Sequence, residues 1–219
     1  MIHLRKSILC IAASMLLVIS CNKDETVVAP TISTEGLTTV QLQLTNKADA
    51  SDKPTAQWEQ LLDANGNPLP VDVSKANLTL KANATYDAKL IVLDKSQSPV
   101  FVVSDELKAR GNYHLFFHQP LPTTKPLMIP NNPADANDLY PDPIPTPIPA
   151  GSVLNLTVNI TDQDTNPQKY PIGLQSNYIT GAASTGWVRV LLRHQPNVKN
   201  GTFAPGSTDS DVGFNVTIK

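Results

Sequence analysis

Apolar and polar residues alternate along much of this 219-residue chain, and this period of two constrains the fold more than any other feature. Successive side chains of a β-strand point to opposite faces, so alternation is typical of a strand with one buried face. The alternating apolar residues are Val40, Leu42 and Leu44; Leu78 and Leu80; Tyr113, Leu115 and Phe117; Leu154, Leu156, Val158 and Ile160; Val188, Val190 and Leu192; and Phe214, Val216 and Ile218. We therefore predict an all-β fold, a β-sandwich of immunoglobulin-like or similar type.

Three further segments carry local predictions of their own. Residues 90–93 and 100–103 are continuously apolar, which predicts strands buried on both faces. Residues 56–62 are the one segment with moderate helical spacing. Asn65-Gly66 predicts a turn, because both residue types tolerate a positive φ.

A proline-rich segment divides the strands into two groups. Residues 121–150 contain nine prolines, five of them at every second position from Pro141 to Pro149. Proline has no N–H to donate to a sheet, so we predict an extended polyproline II connection between a first β half (37–120) and a second (151–219). The connection is either an ordered strap or a docking segment for a partner.

The two halves show a weak internal similarity. At an offset of 76 residues, 78–120 align with 154–196 without a gap, and His118-Gln119-Pro120 then meets His194-Gln195-Pro196. We predict two pseudo-repeated β halves, packed as one sandwich or as two small ones.

The amino terminus has the layout of a secretory signal peptide over residues 1–20. Arg5 and Lys6 precede an apolar stretch, 8–19, that is shorter than the roughly 20 residues a membrane-spanning helix needs. Ser20 followed by Cys21 resembles the lipobox of bacterial lipoproteins. This resemblance implies cleavage before Cys21 and acylation of its thiol and its new amine with fatty acids such as palmitate.

The next residues resemble an export signal. Asn22-Lys23-Asp24-Glu25 is similar to the surface-export signal of Bacteroidota lipoproteins, and the stretch from 185 to the carboxyl terminus looks like the ends of small uncharacterised lipoproteins of that group. The resemblance implies a protein that is lipid-anchored in the outer membrane and exposed at the surface, with residues 21–36 as a tether. A periplasm-facing lipoprotein is the alternative, and the resemblance carries no activity with it.

Charge and motifs exclude several functions. The chain has 17 Lys and Arg against 19 Asp and Glu, so it lacks the basic balance that nucleic-acid binding requires. The sequence contains neither a Gly-x-Ser-x-Gly elbow nor a His-Glu-x-x-His motif, both of which are typical of hydrolases. The predicted mature chain has no cysteine besides Cys21 that could act as a nucleophile. We therefore predict a protein that is not an enzyme.

The sequence is compatible with two kinds of metal site. His118 and His194 would approach each other if the repeats pack around a pseudo-twofold axis, offering two imidazoles to a transition metal or a haem iron. The alternative is a polar strand end followed by a proline. Oxygen-bearing side chains alternate over 162–166 and at Asp63, Asn65 and Asn67, which favours either calcium or simple turns.

A mixed strand face is the candidate contact surface. Trp187 shares a strand face with Arg189, Leu191 and Arg193. One interpretation is that this face binds sugar rings by stacking or contacts a protein partner. The alternative is that Trp187 covers the edge of the core and the arginines lie along it. The predicted function is a binding or accessory subunit near an outer-membrane nutrient uptake system. Its predicted partners are the membrane, a transport protein or a glycan, and no cofactor is identified. A haem- or metal-capturing lipoprotein and an adhesin or structural envelope module are the alternatives.

Overall fold

Two β-sheets pack face to face in the computed structural model, which describes residues 37–122, 154–203 and 205–219. The elements are β1 (Thr39–Asn46), β2 (Thr55–Leu62), β3 (Pro68–Asp72), β4 (Asn77–Leu80), β5 (Thr85–Asp94), β6 (Phe101–Val102), α1 (Val103–Ala109), β7 (His114–Pro122), β8 (Leu156–Ile160), β9 (Gln175–Thr180), β10 (Ser184–His194) and β11 (Ser207–Ile218). The predicted signal peptide, Cys21, the tether and most of the proline-rich connection lie outside the described residues.

The first sheet has the strand order β3-β2-β1-β5-β9-β8, and the short β6 also pairs with β5. Its neighbouring strands are antiparallel; along β1 and β5, for example, Val40 lies opposite Val92. The second sheet has the order β4-β11-β10-β7, in which β4 runs parallel to β11 and the other pairs are antiparallel. The prediction of an all-β sandwich is confirmed.

The core lies between the two sheets and is built from the alternating residues. Val40, Leu42 and Leu44 of β1 belong to the same buried cluster as Val188, Val190 and Leu192 of β10, and each of the six is at most 2% exposed. The alternation thus places one face of β1 and one face of β10 in the core. The helix α1 spans seven residues, and no helix in the described part of the chain is long and apolar enough to cross a membrane.

Four local predictions are wrong. The alternation of Tyr113, Leu115 and Phe117 does not mark the core face of β7, because the core cluster contains Phe116 and none of those three residues. Residues 90–93 lie in β5, but only Leu90 and Val92 are buried, so this strand is not buried on both faces.

The other two wrong predictions concern residues 56–62 and 100–103. Residues 56–62 lie in β2, where Ala56, Trp58 and Gln60 are buried in turn, so the period of two overrode a weak helical spacing. The run 100–103 does not form a doubly buried strand, because Val100 is 49% exposed, β6 is only two residues long and Val103 begins α1. An apolar run of four residues does not by itself distinguish a strand from the start of a helix.

Strands from the two predicted halves share both sheets. In the first sheet β9 pairs with β5, and in the second β10 pairs with β7, so the described strands from either side of the connection form one sandwich. Residues 85–94 form β5, whereas the residues aligned with them, 161–170, include no strand. The internal similarity therefore has no counterpart in the strand arrangement there.

Candidate functional site

His118, the first of the two imidazoles predicted to bind metal or haem, is held at both ring nitrogens. Its Nδ1 lies 2.8 Å from the Tyr178 hydroxyl and its Nε2 lies 2.8 Å from the Gly173 carbonyl oxygen. A carbonyl only accepts, so Nε2 carries the proton and Nδ1 accepts from Tyr178. Burial lowers the pKa of His118, which keeps the ring neutral. The lone pair on Nδ1, which a metal would need, already accepts the hydrogen bond from the Tyr178 hydroxyl.

His194, the second imidazole, does not approach His118. In the pairing of β10 with β7, His194 lies opposite His114, whereas His118 lies opposite Val190. Four residues of strand separate the two pairs, which is roughly 13 Å. This register differs from the one that the metal hypothesis needs, and no cluster of three or more metal-ligating His, Cys, Asp or Glu side chains occurs among the residues described.

The actual neighbours, His114 and His194, stack on each other. Their ring centroids are 4.9 Å apart and their planes differ by 8°. His114 is fully buried, and its Nδ1 lies 3.1 Å from the Arg110 carbonyl oxygen, to which it donates. His194 Nδ1 lies 3.7 Å from an oxygen of the buried Asp209. The pair lies at one end of the second sheet, where β7 begins and β10 ends.

The predicted contact face is buried rather than open. Trp187, Arg189 and Arg193 are 1%, 2% and 7% exposed. Arg189 binds Asp211 of the neighbouring strand through Nε, at 2.9 Å, and through its terminal nitrogen. The Arg193 guanidinium lies 4.2 Å from the centre of the Phe203 ring. Both arginines are thus buried against neighbouring side chains, so of the two alternatives the structure does not support an accessible contact face at Trp187, Arg189 and Arg193.

The stretch 162–166, a candidate calcium loop, is organised by protein donors instead. Asp162 accepts hydrogen bonds from the backbone N–H groups of Gly173 and Leu174 at 2.8 and 3.0 Å. Asp164 lies 3.0 Å from the Lys199 ammonium, and their side chains are 0% and 1% exposed. Lys199 therefore supplies, from the loop after β10, the positive charge that a cation would have brought.

The buried pair ties three loops together. Asp164 also accepts from the backbone N–H groups of Asn166 and Tyr170, at 3.1 and 3.0 Å, while Lys199 donates to the Gly111 carbonyl oxygen at 2.7 Å. Burial acts to raise the pKa of Asp164, but Lys199 and the two backbone donors outweigh it and lower the pKa. The turn after α1, the loop before β9 and the loop after β10 thus meet at one charged contact.

Above this contact lies a polar cleft of about 500 Å³, which is within the size range of small-molecule sites. The side chains that line it besides Pro167 and Lys199 are three asparagines, one glutamine and two tyrosines: Asn112, Asn166, Asn197, Gln168, Tyr113 and Tyr170. We call this feature the polar cleft. Its lining contains no carboxylate, and its one cation is paired with Asp164.

Two of the lining amides are held in fixed orientations. Asn112 Oδ1 accepts from the backbone N–H and the hydroxyl of Thr165, at 3.0 and 2.9 Å, which leaves its NH₂ group to donate elsewhere. Asn166 donates its NH₂ group to Asp164 at 2.9 Å, which leaves its side-chain oxygen to accept. Two residues of the lining therefore retain one donor and one acceptor, each on an amide that is held at its other atom.

The polar cleft was not predicted from the sequence, although the three loops that form it contain recognisable turn residues. Turn-forming residues follow α1 at Gly111-Asn112, precede β9 at Asn166-Pro167 and follow β10 at Asn200-Gly201. Those turns identify loops, but only the strand order shows that the three loops share one end of the sandwich. Nothing in the local sequence marks Lys199 as a buried partner.

A second polar depression of about 390 Å³ lies on the outer face of the first sheet. Gln41, Gln43 and Gln57 contribute to its lining, and no aromatic side chain lines it. Gln41 and Gln57 hydrogen-bond each other at 2.5 Å. This surface offers amides without a ring to stack against, so the polar cleft is the stronger candidate.

Comparison of the chain with models of known protein families, with curated proteins and with solved structures found no match.

Proposed function

We propose that this chain is a non-catalytic binding or accessory subunit, fastened to the outer membrane through Cys21 and associated with nutrient uptake at the cell surface. The polar cleft is its ligand site. The observation that carries the proposal is the set of uncharged hydrogen-bonding side chains around the buried Asp164–Lys199 pair.

The pair at the base of the cleft favours binding over catalysis. A general acid or base must have an oxygen or nitrogen that is free to exchange a proton with a substrate. Both Asp164 oxygens accept hydrogen bonds, and the Lys199 ammonium is committed to Asp164 and Gly111. These groups support the shape of the site and leave no proton carrier at its base.

The cleft is also supported before any ligand arrives. Ordering a loop on binding costs free energy that subtracts from affinity, so loops that are already fixed favour recognition. Asp164 binds the backbone at Asn166 and Tyr170, and Lys199 binds it at Gly111. Each of the three loops is thus fastened by a buried charge-assisted contact.

The membrane anchor supports a role at the cell envelope. Each buried acyl CH₂ contributes about 0.8 kcal/mol, so several chains on Cys21 would give stable attachment where a single chain is marginal. An accessory subunit that works beside a transport protein benefits from such attachment, because confinement to the same membrane raises its effective concentration near the transporter.

Substitution Cys21→Ala is expected to abolish acylation. In cells that process lipoproteins and are grown with an alkyne analogue of palmitate, the wild-type protein should take up label and lose residues 1–20. The Cys21→Ala variant should stay unlabelled and keep the full mass of its leader. Cys10→Ala is the matched control, because Cys10 lies inside the segment predicted to be removed. Equal labelling of the Cys21→Ala variant, or an unlabelled wild type, would contradict the proposed anchor.

The binding role is tested by thermal shift on the lipidated chain in detergent. The panel contains neutral oligosaccharides, acidic oligosaccharides, short peptides, haem and divalent metals. A ligand that prefers the folded state raises Tm, and we expect at least one class to do so. The shift should disappear in a cleft variant that carries Tyr113→Ala, Gln168→Ala and Asn197→Gly.

These three positions are chosen to spare the fold. All three residues are exposed, and glycine at 197 accommodates the positive φ of 60° found there. A control variant, Phe101→Ala with Gln43→Ala and Gln175→Ala, removes one exposed aromatic and two exposed amides elsewhere. A panel in which no class raises Tm, or shifts that persist in the cleft variant, would refute the polar cleft as the ligand site.

A further inference from the structure

We infer that the polar cleft recognises a neutral carbohydrate. The inference rests on the proposed function, because it names the ligand class of the same site. Four properties of the lining lead to it: charge balance, paired donors and acceptors, two tyrosine rings, and a predominantly polar lining.

Charge balance argues for an uncharged ligand. The cation at the cleft, Lys199, is 3.0 Å from Asp164 and donates to the Gly111 carbonyl oxygen, so its charge is already compensated. An anionic ligand would have to compete with a buried carboxylate for this ammonium. A cationic ligand would find no carboxylate in the lining. A neutral ligand leaves the buried pair undisturbed.

The amides match hydroxyl groups. A sugar hydroxyl is at once a donor and an acceptor, and neighbouring hydroxyls on a ring present both functions side by side. The NH₂ group of Asn112 and the side-chain oxygen of Asn166 supply one donor and one acceptor on residues that line the cleft. Gln168 and Asn197 each add a further amide with both functions. Hydrogen-bonding sites of this kind discriminate strongly against analogues that lack the hydroxyl.

The two tyrosines supply the apolar part of the contact. A tyrosine side chain has an apolar ring and a polar tip, and the C–H face of a sugar ring is itself weakly apolar. Tyr113 is 38% exposed, and Tyr170 is half-buried. Gly201 packs closely against Tyr170, since a Cβ at that glycine would lie 3.0 Å from the Tyr170 ring. Both tyrosines line the cleft together with the amides.

The polar lining also weighs against other ligand classes. Sites for apolar small molecules are lined mostly by hydrophobic side chains, whereas amides and tyrosines dominate here. Extended peptides are commonly bound by adding a strand to a sheet edge, and the polar cleft is formed by loops instead. Carbohydrate is the class that uses all of these features together.

Calorimetric titration of the full lipidated chain in detergent tests the inference. The probes are neutral oligosaccharides of glucose, galactose, mannose and xylose, together with uronic-acid and sulfated oligosaccharides. We expect saturable binding of at least one neutral probe, weakened at least about tenfold in the cleft variant and changed less than about twofold in the control variant. Circular dichroism and Tm establish that both variants are folded.

The possible outcomes separate this inference from the broader proposal. If only the charged sugars, a peptide, haem or a metal bind, and the cleft variant loses that binding, the carbohydrate inference is wrong while the binding role stands. If neutral sugars bind equally well to the wild type and the cleft variant, the assignment of the site is wrong. If no probe binds in either assay, both the inference and the proposed binding role fail.

Discussion

Substitution Lys199→Met is expected to lower the free energy of unfolding by about 3–5 kcal/mol, the range seen when one partner of a buried ion pair is removed. Methionine matches the length of the lysine stem but leaves the Asp164 carboxylate, which is 0% exposed, without its counter-charge. It also breaks the hydrogen bond to the Gly111 carbonyl oxygen. Chemical denaturation at neutral pH measures the loss.

The matched control is Lys81→Met. Lys81 forms an ion pair of the same length with Asp49, 3.0 Å, but its side chain is 57% exposed. Exposed pairs contribute about 0–1 kcal/mol, so the loss should be several-fold smaller. If the two substitutions lower the free energy of unfolding equally, the Asp164–Lys199 pair does not hold the three loops together.

A double variant, Lys199→Met with Asp164→Asn, separates lost attraction from an unpaired charge. Asparagine removes the carboxylate and keeps one oxygen that accepts from the backbone of Asn166 and Tyr170. We expect the double variant to recover at least half of the stability lost in Lys199→Met, because much of the penalty comes from the buried charge itself. In the single variant the penalty should shrink as the pH is lowered, since protonation of Asp164 relieves it.

The fold was predictable because its signal is local. Alternation along residues 40–44 and 188–192 reports which face of each strand is buried, and the structure places those residues in the core. Residues 100–103 lacked such a repeated signal. They are apolar without a period, and the chain there passes from an exposed edge strand into α1.

The site was not predictable because it depends on register and strand order. Whether His194 faces His114 or His118 is decided by the pairing of β10 with β7, which the tripeptide similarity does not encode. The same holds for Lys199, which reaches Asp164 only because two loops meet at one end of the sandwich. The stretch 162–166 is visibly rich in side-chain oxygens, but the lysine that pairs with Asp164 lies 35 positions further along the chain.

Stability is expected to fall as the pH is lowered from about 6.5 to about 4, because of His114. Burial, with smaller contributions from the nearby His194, Arg110 and Lys199, lowers the pKa of His114 from 6.5 to about 4. The unfolded chain therefore takes up this proton first, so the contribution of His114 is complete above about pH 6.5 and is lost as the pH falls towards 4. At 1.36 kcal/mol for each pH unit, the expected loss is about 3 kcal/mol.

Substitution His114→Leu should remove that part of the pH dependence. A leucine keeps the site buried and cannot take up a proton, so the variant should lose about 3 kcal/mol less than the wild type between about pH 6.5 and pH 4. Denaturation at about pH 8, where His114 is neutral in both the folded and the unfolded chain, serves as the control and reports the effect of the substitution apart from titration, which includes the lost hydrogen bond to Arg110 and the lost stacking on His194. Some slope should remain in the variant, because burial lowers the pKa of His118 in the same direction. Parallel stability curves for the wild type and His114→Leu over this range would show that the buried imidazole is not the group that titrates.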